Sequence, residues 1–286
     1  MAAYFRAETT QVARANNRTV MNILTLFMLA PMALVANGGF STTIAAQDVP
    51  VIAAAADLQF ALKEIAAQFQ TDTGREVRLS FGASGELAGQ LQRGAPFEMF
   101  MSADEGFVQK LADASLTLNG GSGAMYAEGR IVLFAPKGSA LKVDAKLDGL
   151  RAALANGRIQ RFAIANPEQA PYGRAAQQVL QGQGLWDTIR PKLVLGENVS
   201  QAAQFATSGS AQGGIFAYSL ALSPSVSGRG SYALLPSDWH GPVLYQRMVL
   251  MKNAGETAQA FYRYMQTPPA RTVFRKYGFV LPGEPN

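Results

Sequence analysis

The chain has 286 residues, of which 48% are hydrophobic and 16% are charged, and this balance excludes intrinsic disorder. It contains no cysteine and one histidine, His240, which excludes disulfide frameworks, thiolate metal sites, cysteine nucleophiles and sites with several histidine ligands. The formal net charge is +5, and the basic residues are scattered, whereas a nucleic-acid surface needs a dense stripe of them. We therefore expect no nucleic-acid partner.

The first 46 residues have the order of a secretory leader. Arg14 and Arg18 precede a stretch without charge whose apolar part covers 20–36, and small residues follow. A basic flank, an apolar segment and a small-residue cleavage site are typical of a signal peptide. We predict cleavage near Ala45 or Ala46 and export of the mature chain. The alternative is an uncleaved N-terminal membrane anchor, although the apolar stretch is short for a span.

From Val49 onwards, short apolar runs alternate with amphipathic segments. Predicted strands lie at 51–56, 76–81, 98–101, 130–134, 161–165, 193–195, 214–218 and 242–250. Predicted helices lie at 58–69, 86–91, 103 onwards, 174–182, 199 onwards and 256–265. This alternation is typical of α/β proteins with mostly parallel sheets. The length of the chain after the leader favours two lobes over a single sheet.

Ligands of α/β proteins bind where strands end and helices begin. Four such junctions follow predicted strands; in chain order they are 53–58, 80–87, 166–174 and 196–200. They offer small side chains, hydroxyl groups, a phenol and helix N-termini, which together bind anions through N–H groups and positive dipole ends. Each motif alone also has an ordinary explanation, since Ser84 would serve as a helix cap and Tyr172 as a packed ring.

Six blocks of sequence follow one another along the chain. They are AAADL at 54–58, FGASGELA at 81–88, GAPFEMFMSAD at 94–104, NPEQAPYG at 166–173, ENV at 197–199 and FRKYGF at 274–279. Taken together, these blocks resemble the periplasmic molybdate-binding proteins of ABC transporters, and the resemblance covers nearly all of the chain after the leader.

The resemblance implies an α/β fold with two lobes, the type II periplasmic-binding-protein fold. Each lobe would be a mostly parallel sheet flanked by helices, and the ligand cleft would lie between the lobes. The chain would cross between them twice, with 47–128 and 239–286 in the first lobe and 129–238 in the second.

The resemblance also implies which groups hold a tetrahedral oxyanion. Ser84 would donate its hydroxyl, Tyr172 its phenol and Val199 its backbone N–H. Many family members have another tyrosine in the strand that aligns with 214–218, where this chain has Ala217 if no gap is introduced. We infer that Tyr172 replaces it. No catalytic residue, metal-cation ligand or cofactor is implied.

Asp57 departs from the family, whose members carry Ser, or Thr-Asn, where this chain has Ala56 and Asp57. A carboxylate a few ångströms from a dianion costs on the order of several kcal/mol at an effective dielectric near 20. Two interpretations stay open. Asp57 either caps its own helix and leaves its backbone N–H for the anion, which we favour, or it faces the cleft, where it is protonated or the ligand is different.

The predicted function is binding of molybdate, with tungstate as a similar anion, and delivery to an ABC transporter permease by a monomer that is not an enzyme. The alternative is a type II binding protein for another oxyanion or a small anionic ligand. An organic carboxylate would need an arginine, for which Arg174 is the candidate. An enzyme would need His240 or a pair among Asp104, Glu168 and Glu197, and the sequence does not indicate that any of these meet.

Overall fold

The computed structural model describes residues 49–284. The predicted signal peptide and its cleavage near Ala45 or Ala46 lie outside the described residues. Within the described part of the chain, no helix is both long enough and apolar enough to cross a membrane.

Ten strands are found in residues 49–284, and they form two five-stranded sheets. The strands of the first sheet are β1 (Val51–Ala55), β2 (Arg78–Gly82), β3 (Met99–Ser102), β4 (Ala124–Glu128) and β10 (Tyr245–Leu250), in the order β2-β1-β3-β10-β4. The strands of the second sheet are β5 (Ile131–Pro136), β6 (Phe162–Ala165), β7 (Leu193–Gly196), β8 (Gly214–Ala217) and β9 (Gly230–Leu234), in the order β7-β6-β8-β5-β9.

Helices follow most of the strands. They are α1 (Gln59–Thr73), α2 (Ser84–Gln92), α3 (Glu105–Asp113), α4 (Asp148–Ala155), α5 (Pro171–Gly182), α6 (Trp186–Ile189), α7 (Val199–Thr207), α8 (Tyr218–Ala221), α9 (Glu256–Tyr264) and α10 (Pro268–Lys276). Short 3-10 turns lie at Ala56–Leu58, Leu118–Gly120, Arg190–Lys192, Ser237–Trp239 and Gly241–Leu244.

Both sheets mix parallel and antiparallel pairs, where we expected mostly parallel ones. β1 runs parallel to β2 and β3, and β6 runs parallel to β7 and β8. β10 runs antiparallel to β3 and β4, and β5 runs antiparallel to β8 and β9. The antiparallel pairs arise where the chain changes sheets, from β4 to β5 and from β9 to β10. A strand that arrives from the other sheet has no crossover helix to make it run parallel to its neighbours.

The two faces of the first sheet follow the strand period of two. Ile52 and Ala54 of β1 pack into a core that α1, α9 and α10 complete. Ala53, between them, points to the other face and packs with α2 and α3. Both faces are therefore covered by helices, as expected for a sheet with parallel strands at its centre.

The second sheet packs into one continuous buried cluster with its helices, and this cluster extends to the first sheet. It includes Ala56 and Ala83, which follow strands of the first sheet, together with Tyr172 and Val199 from the second. The two sheets therefore share buried contacts at the strand ends where the sequence places the four junctions.

Most predicted elements are present, and the differences concern their ends. The strand predicted at 242–250 begins only at Tyr245, because Gly241–Leu244 form a 3-10 turn with a proline near its start. The strand predicted at 214–218 ends at Ala217, so Tyr218 begins α8 instead of pointing to the opposite strand face. The elements that the sequence patterns did not predict are β4, β9, α4, α6, α8 and α10.

Candidate ligand-binding site

Hydrogen bonds join the four junctions across the two sheets. The backbone N–H of Gly85 donates to the carbonyl oxygen of Gln169 at 2.9 Å, which connects the second junction with the third. Gln59 Nε2 donates to Ser200 Oγ at 2.8 Å, which connects the segment after the first junction with the fourth. Segments at helix starts of the two lobes are therefore in direct contact, and helix starts favour anions.

Asp57 lies inside the turn between β1 and α1, and the favoured interpretation of it as a helix cap is wrong. The 3-10 turn begins after Ala55 and α1 begins after Leu58, and neither start has a side-chain cap. The turn delays the start of α1, so the Asp57 carboxylate lies in the turn and faces the second sheet. Its Oδ2 accepts hydrogen bonds from Tyr172 Oη and from Gln246 Nε2, both at 2.9 Å.

The Asp57 carboxylate is 1% exposed, and this burial controls its protonation. Desolvation raises the pKa of Asp57 from 3.8 to about 6, against the lowering effect of hydrogen bonds from Gln246, Tyr172 and its own backbone. Burial, with the charge of Asp57 as a second cause, raises the pKa of the Tyr172 phenol well above its ordinary value. The phenol therefore keeps its proton and remains a hydrogen-bond donor.

Gln246 of β10 connects these groups, and sequence reasoning missed it. Its Nε2 also donates to Tyr172 Oη at 2.9 Å, and its Oε1 accepts from Tyr126 Oη at 2.7 Å. Gln246 is fully buried, and strand alternation places it on the same inward face as Met248. An amide at an inward, core position of a strand was the signal that could have identified it.

Gly129 makes room for the phenol. A Cβ atom at this position would lie 2.2 Å from Tyr172 Oη and 2.7 Å from Gln246 Nε2. Gly129 lies where the chain first crosses between the sheets, and its N–H donates to the carbonyl oxygen of Leu244 in the returning segment at 3.0 Å. The two crossings therefore run side by side, next to Tyr172.

Ser84 is the first residue of α2 and does not serve as its cap, since the cap position is Ala83. The side chain is 1% exposed, and its Oγ accepts the backbone N–H of Ala103 at 3.0 Å. In residues 49–284 the Ser84 hydroxyl donates to no acceptor. Its proton is therefore available to a ligand.

Val199 is the first residue of α7, as the sequence predicted. The cap is Asn198, whose Oδ1 accepts the N–H groups of Ser200 and Gln201 at 3.0 and 3.1 Å. The N–H of Val199 itself has no hydrogen-bond partner within the described residues. The start of α7 therefore presents one unpaired backbone N–H group at the fourth junction.

The residues considered for other functions are placed differently. Arg174 forms an ion pair with Asp104 from the opposite sheet and lies over the Phe107 ring at 5.2 Å, so its charge is already partnered. His240 is buried, its Nδ1 lies 3.0 Å from the carbonyl oxygen of Gly241, and burial lowers its pKa. Among residues 49–284, no cluster of three or more acidic, histidine or cysteine side chains could hold a metal ion.

We expect the ligand-free protein to lose stability as the pH rises from about 4 to about 6. Asp57 has a folded-state pKa of about 6 against 3.8 when exposed, so in this window the folded state holds a proton that the unfolded state has released. Stability then falls with rising pH, in total by on the order of 3 kcal/mol.

Denaturant unfolding of the wild type and of Asp57→Asn across this pH range tests the expectation. The amide does not titrate, so the stability of Asp57→Asn should not show this fall between pH 4 and pH 6. Asp113→Asn, a change at an exposed carboxylate, should keep the fall. A stability difference between wild type and Asp57→Asn that stays constant with pH would contradict it.

Two mixed sheets, flanked by helices and facing each other across a cleft of helix N-termini, define a two-lobed solute-binding protein with the type II periplasmic fold. The chain belongs to the bacterial extracellular solute-binding protein family, whose sequence pattern matches residues 50–280.

Individual relatives carry a more specific name. The molybdate-binding protein ModA of Rhodobacter capsulatus is 37% identical over 251 residues, which cover 85% of this chain and 92% of the relative. ModA of Azotobacter vinelandii is 37% identical over 250 residues, covering 87% and 96%. The solved Azotobacter vinelandii periplasmic molybdate-binding protein matches with a TM-score of 0.74 and 31% identity, covering 82% of this chain and 99% of that one. The predicted resemblance and fold class are thereby confirmed.

Proposed function

We propose that the protein binds molybdate, and tungstate as an anion of nearly the same size, and delivers it to the membrane permease of an ABC transporter. The observations that carry the proposal are the hydrogen bonds that join helix starts of the two lobes and the unpaired donors of Ser84 and Val199 within residues 49–284, in a chain 37% identical to proteins named for molybdate binding. The proposed ligand groups are the Ser84 hydroxyl, the Tyr172 phenol and the backbone N–H groups of Asp57 and Val199.

Neutral donors suffice for this task. Each hydrogen bond to an ionised acceptor contributes about 1.5–3 kcal/mol, and more so in a cleft from which water is excluded. Ser84 and Val199 each begin a helix packed in a core, so their positions are fixed. Rigid donors fix the radius of the anion, which separates molybdate and tungstate from the smaller sulfate.

The remaining features of the proposal follow from a receptor role. We propose that lobe one comprises 47–128 with 239–286 and lobe two 129–238, a division supported by the strands of the two sheets. The exported protein would act in the periplasm as a monomer after removal of the signal peptide. It would need no cofactor and would catalyse no reaction, and closure of the lobes would present a new surface to the permease.

Titration calorimetry of the exported protein with molybdate, tungstate, sulfate and phosphate tests the proposal. We expect molybdate and tungstate to bind one to one, and a ligand at 100 times its Kd to stabilise the protein by about 2.7 kcal/mol. Sulfate should give no such stabilisation. Binding of sulfate or phosphate in preference to molybdate would overturn the assignment in favour of another anion.

Ser84→Ala should weaken molybdate binding by about 10- to 150-fold, because it removes one hydrogen bond to the charged ligand. It also leaves the Ala103 N–H unpaired, so thermal melting must confirm that the variant is folded at the temperature of titration. Ser223→Ala is the matched control, since this buried hydroxyl donates to Leu220 and belongs to no proposed ligand set. Equal affinities for the wild type and both variants would remove Ser84 from the site.

A further inference from the structure

The Asp57 carboxylate accepts the hydrogen bond of the Tyr172 phenol, which is the donor that the proposed function assigns to the ligand. Tyr172 has one hydroxyl proton, and it is donated to Asp57 Oδ2 at 2.9 Å. An oxyanion that accepts this proton must take it from the carboxylate. Asp57 and the anion therefore cannot both bind Tyr172 in their fully ionised forms without competition and repulsion.

The second carboxylate oxygen points to a ligand independently. Asp57 Oδ1 is buried, and no other residue among 49–284 donates a hydrogen bond to it. A buried ionised oxygen without a donor is costly, and buried polar atoms in proteins normally have partners. If Oδ1 carries a proton, it is instead a hydrogen-bond donor without an acceptor. An oxygen of a bound oxyanion would supply that acceptor.

We propose that Asp57 is a proton-carrying ligand residue, which binds the oxyanion as the neutral acid and donates its Oδ1–H to an oxygen of the anion. This inference rests on the proposed function. Where Asp57 is ionised in the free protein, one proton enters from solvent for each dianion bound, and no covalent bond of the ligand forms or breaks. Gln246 Nε2 keeps its hydrogen bond to Oδ2, and Tyr172 turns its proton from Oδ2 to the anion.

Among residues 49–284, no charged side chain contributes to the shift in the pKa of Asp57. The titratable groups that act on it are the phenols of Tyr172 and Tyr126, and Gln246 is neutral. Of the elements packed against its turn, α8 contributes Ser219, whose Oγ donates to the Asp57 carbonyl oxygen, and α7 has no titratable residue.

The remaining charged residues of the packed elements belong to other contacts. Arg174 of α5 pairs with Asp104, and Arg247 of β10 pairs with Glu105. Tyr218 of α8 lies against Arg130 at 5.0 Å. Arg78 is at the exposed far end of β2, and Glu64 of α1 pairs with Lys276, while Lys63 of the same helix is exposed. The protonation of Asp57 is therefore free to follow the pH and the ligand.

The inference gives binding a definite pH dependence. Since the pKa of Asp57 in the free protein is about 6, the acid form that binds is present below this value. Above it, each pH unit must lower the affinity for molybdate about tenfold, because one proton is taken up. Molybdate itself carries no proton near neutral pH, so the dependence belongs to the protein.

Calorimetric titration of the exported protein with molybdate, from about pH 5.5 to 8.5 in buffers of different ionisation enthalpy, measures the protons taken up. We expect uptake to approach one per molybdate at about pH 8 and to fall towards zero at the acidic end. In Asp57→Asn, the amide should replace the acid as a donor. Uptake should then vanish, and at about pH 8 the variant should bind about 100-fold more tightly than the wild type.

Asp113→Asn is the matched control and should behave as wild type, since this carboxylate is exposed. Binding by the wild type with no proton uptake and a constant Kd would overturn the inference and leave the proposed function intact. No binding of molybdate by the wild type or Asp57→Asn at any pH would overturn the proposed function, and this inference with it. Proton uptake by the wild type is decisive even where the variant fails to fold.

Discussion

Gly129→Ala is expected to weaken molybdate binding by at least about 10-fold, although a single methyl group is added outside the proposed ligand set. The new Cβ would lie 2.2 Å from Tyr172 Oη and 2.7 Å from Gln246 Nε2, distances that no pair of such atoms tolerates. The phenol must move, and its hydrogen bond to the anion is lost, which is worth about 1.5–3 kcal/mol. Overpacking of this kind also destabilises the fold by about 1–3 kcal/mol.

Calorimetric titration with molybdate and thermal melting of the same variant measure the two effects. Gly182→Ala is the control, because a Cβ at Gly182 in α5 meets no atom within 4 Å. That variant should bind like the wild type and melt at the same or a slightly higher temperature. A Gly129→Ala protein with wild-type affinity would mean that Tyr172 does not contact the ligand.

Val199→Pro should lower the affinity for molybdate by about 10- to 150-fold while leaving the fold intact. Proline removes the backbone N–H, and this N–H is the proposed ligand group. Proline is favourable at the first position of a helix, which Val199 occupies in α7. The preceding residue, Asn198, has φ −141° and ψ 174°, an extended conformation that proline accepts, and its own cap bonds are made to Ser200 and Gln201.

The companion variant Val199→Ala separates the side chain from the backbone. It loses the buried isopropyl group but keeps the N–H, so it should retain most of the affinity with some loss of stability. Calorimetry with molybdate and tungstate on both variants gives the comparison. Equal losses in Val199→Pro and Val199→Ala would assign the effect to packing and would remove the backbone donor from the site.

The sequence predicted the parts of the site that depend on local pattern. Ser84 and Val199 were placed at strand–helix junctions, and the structure places both as first residues of helices. Their position follows from short-range periodicity and from the blocks of the family resemblance. Their role as ligands stays a prediction.

The parts that depend on distant contacts could not be predicted. Asp57 and Gln246 are 189 positions apart, and their hydrogen bond exists only because β10 returns to the first sheet after the whole second lobe. The interpretation of Asp57 as a helix cap was wrong for a local reason as well, since a 3-10 turn of three residues shifts the start of α1. The turn has no distinct pattern in the sequence, and the return of the chain to the first lobe was implied by the family resemblance alone, without the contacts of Gln246.

In the proposed closure of the lobes, the neighbouring crossings, joined by the hydrogen bond from Gly129 to Leu244, would be the pivot for rotation of one lobe against the other. In a rigid rotation, the displacement of an atom is proportional to its distance from the axis, and the Tyr172 phenol lies next to Gly129 and thus close to the axis. Gly85 and Gln169, whose hydrogen bond joins the lobes at another point, would be carried further apart in such a rotation. In the proposed site, the anion would thus be held close to the pivot by Tyr172, and its release would depend on the separation of the opposite rim.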